Sequence, residues 1–551
     1  MKNSDIADEL SSLSKMLDLH NQDAELAKSL SNAAFQIDRY TSEMSTMPRN
    51  NIYKLRGITN AIADFIFELL DTNTLNILQH WLQNTPDGIL QMMQIKGLGP
   101  KKLRIVWKEM NIENPSELLY ACNENRLIAY KGFGEKLQQS ILDATEFYLN
   151  SNGKYLYAKV KYFSEQLLLY FTQLKKWQVS LTGDIRRQSN IIEFVEYVIV
   201  GKAESIASNL DAQYFTEINI EDKIILCTSH GIPIKLYCCE ANEFGTLVFT
   251  TTGSSDFVND FQNQYSISTC SDEAEIFTSQ QLPFISPVIR EYTVANTLAL
   301  PQNNWIQFAD IKGIIHNHST YSDGANTLQE MALACKNSGY AYLVISDHSQ
   351  YAAYANGLRP ERIAEQHKEI EELNKTLTPF KIFKSIECDI LPDGNLDYTS
   401  EILNSFDVIV ASVHSVLNMT EEKAMARLLK AIENPYTNIL GHPTGRLLLG
   451  RAGYPLDMKK IIDACAANNV VLELNANPRR LDLDWQWLPY AVEKNVLISI
   501  NPDAHKVEGI ADNEYGVYAA QKAGLLASQN LSSFTLQQFE QFIIHQHTKR
   551  P

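Results

Sequence analysis

The C-terminal part of the chain alternates between two hydrophobic rhythms. Short runs rich in β-branched and aromatic residues, bounded by Gly, Pro, Asn or Ser, read as strands: YAYLVISDHS (340–349), FKIFKSIECDI (380–390), FDVIVASVHS (406–415), TNILGHP (437–443), VVLELNANP (470–478) and NVLISINPDAH (495–505). An earlier run ends at Ile314 and Ile315 and completes a set of seven. Between them, 327–337, 361–377, 421–434 and 456–468 carry helical spacing. Alternating β and α units imply parallel strands, and parallel barrels present their chemistry at strand C-termini. The region 6–149 is helical by pattern, and 287–309, with few charges and two prolines, reads as a linker. No internal repeat or low-complexity tract stands out.

The polar residues at the strand ends change the picture. His316 and His318 share one side of an extended segment, because side chains there repeat every two residues. Asp323 follows in a turn marked by Ser322 and Gly324. A lone His-x-His is more often two unrelated histidines than a metal site. Here, however, strand after strand ends in a metal-capable side chain: Asp347 and His348, Glu387, His414, His442, and Asp503 with His505. Only VVLELNANP carries no obvious ligand. Six of the chain's 12 histidines fall in this set, which chance placement does not explain.

The segments HNHSTYSDG, SDH, IECDI, SVH, GHPTGRLL, LELNANPRRLDL and INPDAH resemble the PHP (polymerase and histidinol phosphatase) family, specifically the C-terminal PHP domain of bacterial X-family DNA polymerases. The resemblance implies a distorted (β/α)7 barrel over 310–551. It also implies nine ligands, His316, His318, Asp323, His348, Glu387, His414, His442, Asp503 and His505, around two to three divalent metal ions. Mixed imidazole and carboxylate donors suit manganese, zinc or iron. Glu387, whose two oxygens can serve two cations, is expected to be shared, and Glu387, Asp503, His348 and Arg446 are the expected catalytic set. Arg446, Arg451, Arg359 and, more weakly, Arg479 and Arg480 are candidates to hold a phosphate. Asp347 is a candidate to orient a neighbouring imidazole, and Asn475 and Asn477 to line the site.

At 551 residues the chain predicts several domains, and 45% hydrophobic residues are ample for their cores. The polar start MKNSDIADELSS and the lack of an apolar run of roughly 18 residues predict a cytoplasmic protein without a membrane span. Eight scattered cysteines, with only Cys238 and Cys239 adjacent, predict reduced thiols. A net charge of −17 argues against coating nucleic acid over the whole surface, so DNA contact must be local. Such a patch lies at 96–108, where Lys96, Lys101, Lys102, Arg104 and Lys108 occur without an acid. Gly97 and Gly99 would turn into a helix with Pro100 near its first position, a turn whose N–H groups can hold a phosphate. Gly132 and Gly134 repeat the arrangement. These segments resemble helix-hairpin-helix motifs, which grip the DNA backbone without reading sequence.

The region 1–150 resembles the lyase-like and fingers part of X-family polymerases. Ala61 and Phe65 stand where lyase-active members carry lysines, so no Schiff-base lyase is expected. LRGITNAIADF has Gly57 but Thr59 at the second glycine position, which makes it the weaker hairpin. The region 151–286 resembles the palm and thumb. VSLTGDIRRQ retains Gly183, Arg186 and Arg187 with Asp184 in the usual serine position. The metal-binding aspartates fall on Phe194, Glu196 and Lys235, so polymerase activity is expected to be absent. The leading expectation is a manganese-stimulated 3′–5′ exonuclease in DNA repair, with DNA and a phosphoester as partners. The alternatives are a phosphatase of the histidinol-phosphatase type and a non-catalytic DNA-binding protein.

Overall fold

The computed structural model describes residues 1–123, 127–151, 153–301, 303–449 and 452–551. The chain divides into two compact units, Met1–Asn152 and Gly153–Pro551.

The first unit is helical, from Asn3–Leu19 and Ala24–Asp38 through Asn60–Thr72 and Pro100–Lys108 to Glu135–Ser151. Its helices bury one apolar stripe each, bringing Leu10, Leu30, Ile62, Leu103, Val106 and Ile141 into a common core. Asp23 and Thr59 cap helix starts by accepting from the N–H of Leu26 and Ile62. Three interhelical turns place a glycine at left-handed φ: Gly57 at +83°, Gly97 at +89° and Gly132 at +94°.

The second unit contains two large sheets. A small antiparallel ladder joins β1 (Tyr155–Leu156) to β3 (Ile191–Ile192). A five-stranded sheet follows the order β2-β4-β7-β6-β5, with β2 Val179–Thr182, β4 Val195–Val200, β5 Thr216–Glu221, β6 Ile224–Ser229 and β7 Ile232–Cys239. Helices Phe244–Thr252, Ser255–Gln264 and Glu273–Ser279 come next. The first part of the stretch 287–309, expected as a linker, is packed through Ile289 and Val294 against helices Phe244–Thr252 and Ser255–Gln264. It holds helix Val294–Ala299, and the fully buried Arg290 donates through Nη1 to Glu273 at 2.6 Å. Only Ile289, Arg290, Val294, Thr297 and Ile306 of the described residues in 287–309 are buried, and most of the stretch after Leu300 is exposed.

The remaining strands are β8 Gly313–Asn317, β9 Tyr342–Ile345, β10 Lys381–Asp389, β11 Val408–Ser412, β12 Ile439–Leu440, β13 Val471–Asn475 and β14 Ile498–Asn501. They pair in sequence order, every pair parallel, and a parallel bridge from Asn317 to Ala504 brings the last strand to the first. The result is a nearly closed seven-stranded barrel. Expected helices appear at Leu328–Asn337, Pro360–Leu377, Glu421–Ile432 and Met458–Asn468. Thr327 and Glu330 form a capping box on the first, and Thr420 caps the third. Near the strand starts, Tyr342, Phe383, Val408, Ile439 and Val471 pack with Phe539 and Phe542 of helix Leu536–His547. That helix supplies the apolar filling at one end and leaves the C-terminal strand ends for polar side chains.

Candidate metal centre

Glu387, near the end of β10, is the hub of those polar ends. Its Oε1 lies 3.2 Å from His316 Nε2, 3.0 Å from His414 Nε2 and 2.9 Å from His442 Nε2, and its Oε2 lies 2.9 Å from His348 Nδ1. His318 Nε2 is 3.0 Å from Asp503 Oδ1. His505 Nε2 and His348 Nε2 are 3.4 and 3.6 Å from the two oxygens of Asp323. Each of the nine sequence-derived side chains therefore touches another member of the set. Four overlapping subsets, His318/Asp323/His348/His505, His316/His318/Asp503, His316/Glu387/His442 and His348/Glu387/His414, hold their donor atoms within 4.8 Å of one another.

The backbone is bent to achieve this. His316, His442 and Asp503 have φ of +60°, +23° and +52°, a region that non-glycine residues seldom occupy and that concentrates at functional sites. The left-handed φ at His316 breaks the extended alternation expected to set His316 and His318 on one side, yet both reach the centre, His316 beside Glu387 and His318 beside Asp503.

The charges fit a cation. Without a metal, Glu387 and Asp503 titrate well below the usual carboxylate range, because neighbouring imidazoles outweigh the burial that opposes this. Burial works against His414, but Glu387 and Asp389 push it up to about 10. Burial and the adjacent His505 and His348 hold His318 down to about 3. His316 Nε2, His318 Nδ1 and Glu387 Oε2 are buried and lack a hydrogen-bond partner of good geometry. Unpartnered buried nitrogen and oxygen atoms facing one another are what a set of divalent-ion ligands looks like.

Two supporting carboxylates escaped the sequence reading. Glu473, in the middle of β13, is fully buried and accepts from His316 Nδ1 at 2.6 Å, from the His442 backbone N–H at 3.0 Å and from Asn501 Nδ2 at 2.8 Å. Asp389 lies 3.2 Å from His414 Nδ1. Both fix the ring whose other nitrogen faces Glu387. A lone Glu inside the apolar run VVLEL was the available signal, because burying a carboxylate needs a partner.

A family model for the PHP domain matches residues 315–477. The chain is 34% identical over 547 residues to the DNA polymerase/3'-5' exonuclease PolX of Bacillus subtilis (strain 168), across 92% of this chain and 93% of that one. The chain belongs to the bacterial X-family DNA polymerases with a C-terminal PHP domain. Shorter matches reach a probable phosphatase of Thermoanaerobacter sp. (strain X514), 27% identical over 211 residues, 34% of this chain and 83% of that protein. Another is a probable phosphatase of Vibrio parahaemolyticus serotype O3:K6 (strain RIMD 2210633), 26% identical over 247 residues, 42% of this chain and 92% of that one. PHP domains are metal-dependent, and the polymerase-X kinship brings metal-dependent phosphoester chemistry with it.

Other expected residues of this polymerase-X chain sit differently. Arg446 donates to the Asp484 carboxylate and to the carbonyls of Arg480 and Leu481, so its guanidinium holds the 480–484 loop instead of standing open to a phosphate. Arg480 comes closer: its Nε is 3.5 Å from Asp503 Oδ2. Arg359 is exposed at the start of helix Pro360–Leu377, and Arg451 lies outside the described residues. Asp347 orients no imidazole. It accepts from the backbone and hydroxyl of both Ser319 and Ser322 and from Gln366, shaping the turn that carries Asp323. Asn475 Nδ2 donates to Asp503 at 3.1 Å, and Asn477 supports the same loop through Asn475 Oδ1.

In the five-stranded sheet, Glu196 and Lys235 are register partners on β4 and β7. The Lys235 ammonium lies 3.8 Å from Glu196 and 4.4 Å from the Phe194 ring centroid. Arg186 is engaged by Glu273 at 2.7 Å, and Arg187 by Glu291 at 3.1 Å and by Asp184. In the helical unit, a Cβ added at Gly99, Gly132 or Gly134 would meet nothing, and one at Gly97 only Ile141 at 3.9 Å, whereas Gly57 is covered by Gln36. Gly99 precedes helix Pro100–Lys108, on which Lys101 is exposed and Lys102 and Arg104 are half-exposed.

Proposed function

We propose that this protein is a metal-dependent phosphoesterase that removes nucleotides from DNA 3′ ends during repair in the cytoplasm, with a non-polymerising palm and a helical DNA clamp. The observation that carries the reading is the convergence of three carboxylates and six imidazoles on one centre around Glu387, buried except towards Asp323 and His505. His316, His318, Glu387 and Asp503 would hold one ion. His348, His414 and His442 would complete further sites with Glu387, and Asp323 and His505 another. Two or three divalent ions of manganese, zinc or iron bound there supply activation of a water and charge stabilisation for in-line displacement at phosphorus. The chain's own residues do the rest. Glu473 and Asp389 keep His316 and His414 in the ligating tautomer, and Arg480, beside Asp503, is the guanidinium among the described residues best placed to meet a phosphoryl oxygen.

The clamp reading draws on the open glycine turns at Gly97, Gly99, Gly132 and Gly134 and on Lys101, Lys102 and Arg104. The polymerase reading draws on Lys235 and Phe194 standing where cation-binding carboxylates are needed. The division into a helical region 1–150, a palm and thumb over 151–286, the connection 287–309 and a PHP phosphoesterase over 310–551 follows these roles.

A small-molecule phosphatase is the second reading, favoured by the similarity of the barrel to the probable phosphatases. Supplying manganese with 5′-labelled single-stranded DNA and, separately, with histidinol phosphate separates the two. The exonuclease reading requires stepwise shortening of the DNA at a far higher kcat/KM than phosphate release. The reverse preference would replace it.

A further inference from the structure

Two of the ligand-bearing loops lift an apolar side chain into solvent directly beside the metal centre. His348 and His414 are neighbours, with ring centroids 4.9 Å apart, and both contact Glu387. Three residues after His348 stands Tyr351, 43% exposed, and two residues after His414 stands Val416, 58% exposed. Two or three residues of chain reach at most about 7–11 Å, so both side chains rise from the immediate rim of the centre.

Neither position is loose. The Tyr351 backbone N–H donates to Asp397 at 2.7 Å, and the preceding Gln350 N–H donates to the Tyr398 hydroxyl at 3.1 Å. Val416 has a φ of +53°, which a β-branched residue avoids unless its surroundings impose it. The imposition is visible one residue earlier, where Arg427 Nη1 donates to the Ser415 carbonyl at 2.9 Å. The same Arg427 donates through Nε to the Ile390 and Leu391 carbonyls at 3.1 and 2.9 Å, and Ile390 bridges to Leu396, next to the Asp397 that holds Tyr351, so one guanidinium ties both loops together. A strained backbone that holds an aliphatic side chain in water gains nothing for the fold. With an exposed aromatic ring on the other ligand-bearing loop, it offers apolar surface at the rim of the phosphoester site of the kind that accepts a flat, hydrophobic-faced group.

We infer that Tyr351 and Val416 form a seat for the base of the nucleotide whose phosphoester enters the centre, with the tyrosine ring stacking on the base and the valine bracing it. The inference rests on the DNA-directed reading above and gives its site a substrate class: strand ends that carry a base, without preference among bases, because every base has a face to stack. The seat specifies affinity and takes no part in the bond change.

The test uses the full-length, manganese-supplemented protein and two 5′-labelled single strands, one ending in an ordinary nucleotide and one ending in an abasic residue. Tyr351→Ala and Val416→Ala are each expected to raise KM about tenfold on the base-bearing end, with kcat within about twofold of wild type. Both should match wild type on the abasic end, and Tyr351→Phe should restore the KM. Unchanged KM on the base-bearing end, or an equal loss on both ends, would overturn the seat while leaving the exonuclease reading standing. If wild type cleaves neither strand, the DNA-directed reading falls and the seat falls with it.

Discussion

His316 Nδ1 and Glu473 Oε2 lie 2.6 Å apart with both side chains fully buried, and the opposite nitrogen of the same ring faces Glu387. A ring clamped by a carboxylate on one side presents its other nitrogen in one orientation and with raised basicity. The pair therefore links a strand without ligands to the centre itself.

Replacing Glu473 by Gln keeps the shape but removes the charge that polarises His316. Metal affinity should fall about 10–100-fold, the usual scale for such supporting partners, with hydrolysis falling in parallel. Isothermal titration of the metal-free variant with manganese checks this. Wild-type affinity would show that the carboxylate only fills space.

Exchanging Lys101, Lys102 and Arg104 together for alanine should weaken DNA binding and flatten its salt dependence. Each lost phosphate contact lowers the logarithmic slope by about 0.9 on duplex DNA and about 0.7 on single strands. Hydrolysis of a small chromogenic phosphodiester should stay near wild type. Equal losses on both substrates would mean the helical unit is not the clamp.

Primed template with all four nucleotides and magnesium or manganese should show no extension. An ammonium 3.8 Å from Glu196 repels a divalent ion, and the Phe194 ring beside it offers no ligand, where two-metal chemistry requires carboxylates. Templated extension in a gel assay would refute this.

His367 offers a pH-dependent check on the fold. Burial, with a smaller contribution from Lys384, lowers its pKa to about 4, and its ring packs edge-on against Phe406. A folded pKa below the unfolded value of about 6.5 means that the unfolded chain takes up the proton first as pH falls. Stability should thus be unaffected above pH 6.5 and decline between about 6.5 and 4. With partial exposure discounted, the loss relative to His367→Leu should be on the order of 1–2 kcal/mol between pH 7 and 4.5. Urea midpoints of the two proteins that run parallel over this range would contradict it.

Much of this was legible in the sequence because barrel strands buried on both faces read as apolar runs, and six of the seven ended in a metal-capable side chain. His348, His414 and His442 were found that way. Glu473 was not, because it lies mid-strand, where the period-two pattern predicts packing and only its charge is out of place. Arg446 misled for the opposite reason: an arginine just after a ligand suits a phosphate as well as it suits Asp484, and composition cannot choose between them. The stretch 287–309 read as a linker throughout because the contacts that anchor its first part are made by a few residues, above all Arg290, whose partner Glu273 lies earlier in the chain.

The central claim is that nine side chains act as one metal centre organised by Glu387. The most direct measurement is the metal content of purified wild type and Glu387→Gln by mass spectrometry, alongside circular dichroism and the exonuclease rate. Wild type should carry more than about one equivalent of metal, since Glu387 is placed to serve more than one ion. The variant should keep its circular dichroism spectrum and lose metal and nuclease rate together. A Glu387→Gln protein that retained both the full metal content and the wild-type rate would show that the nine residues do not form one working cluster.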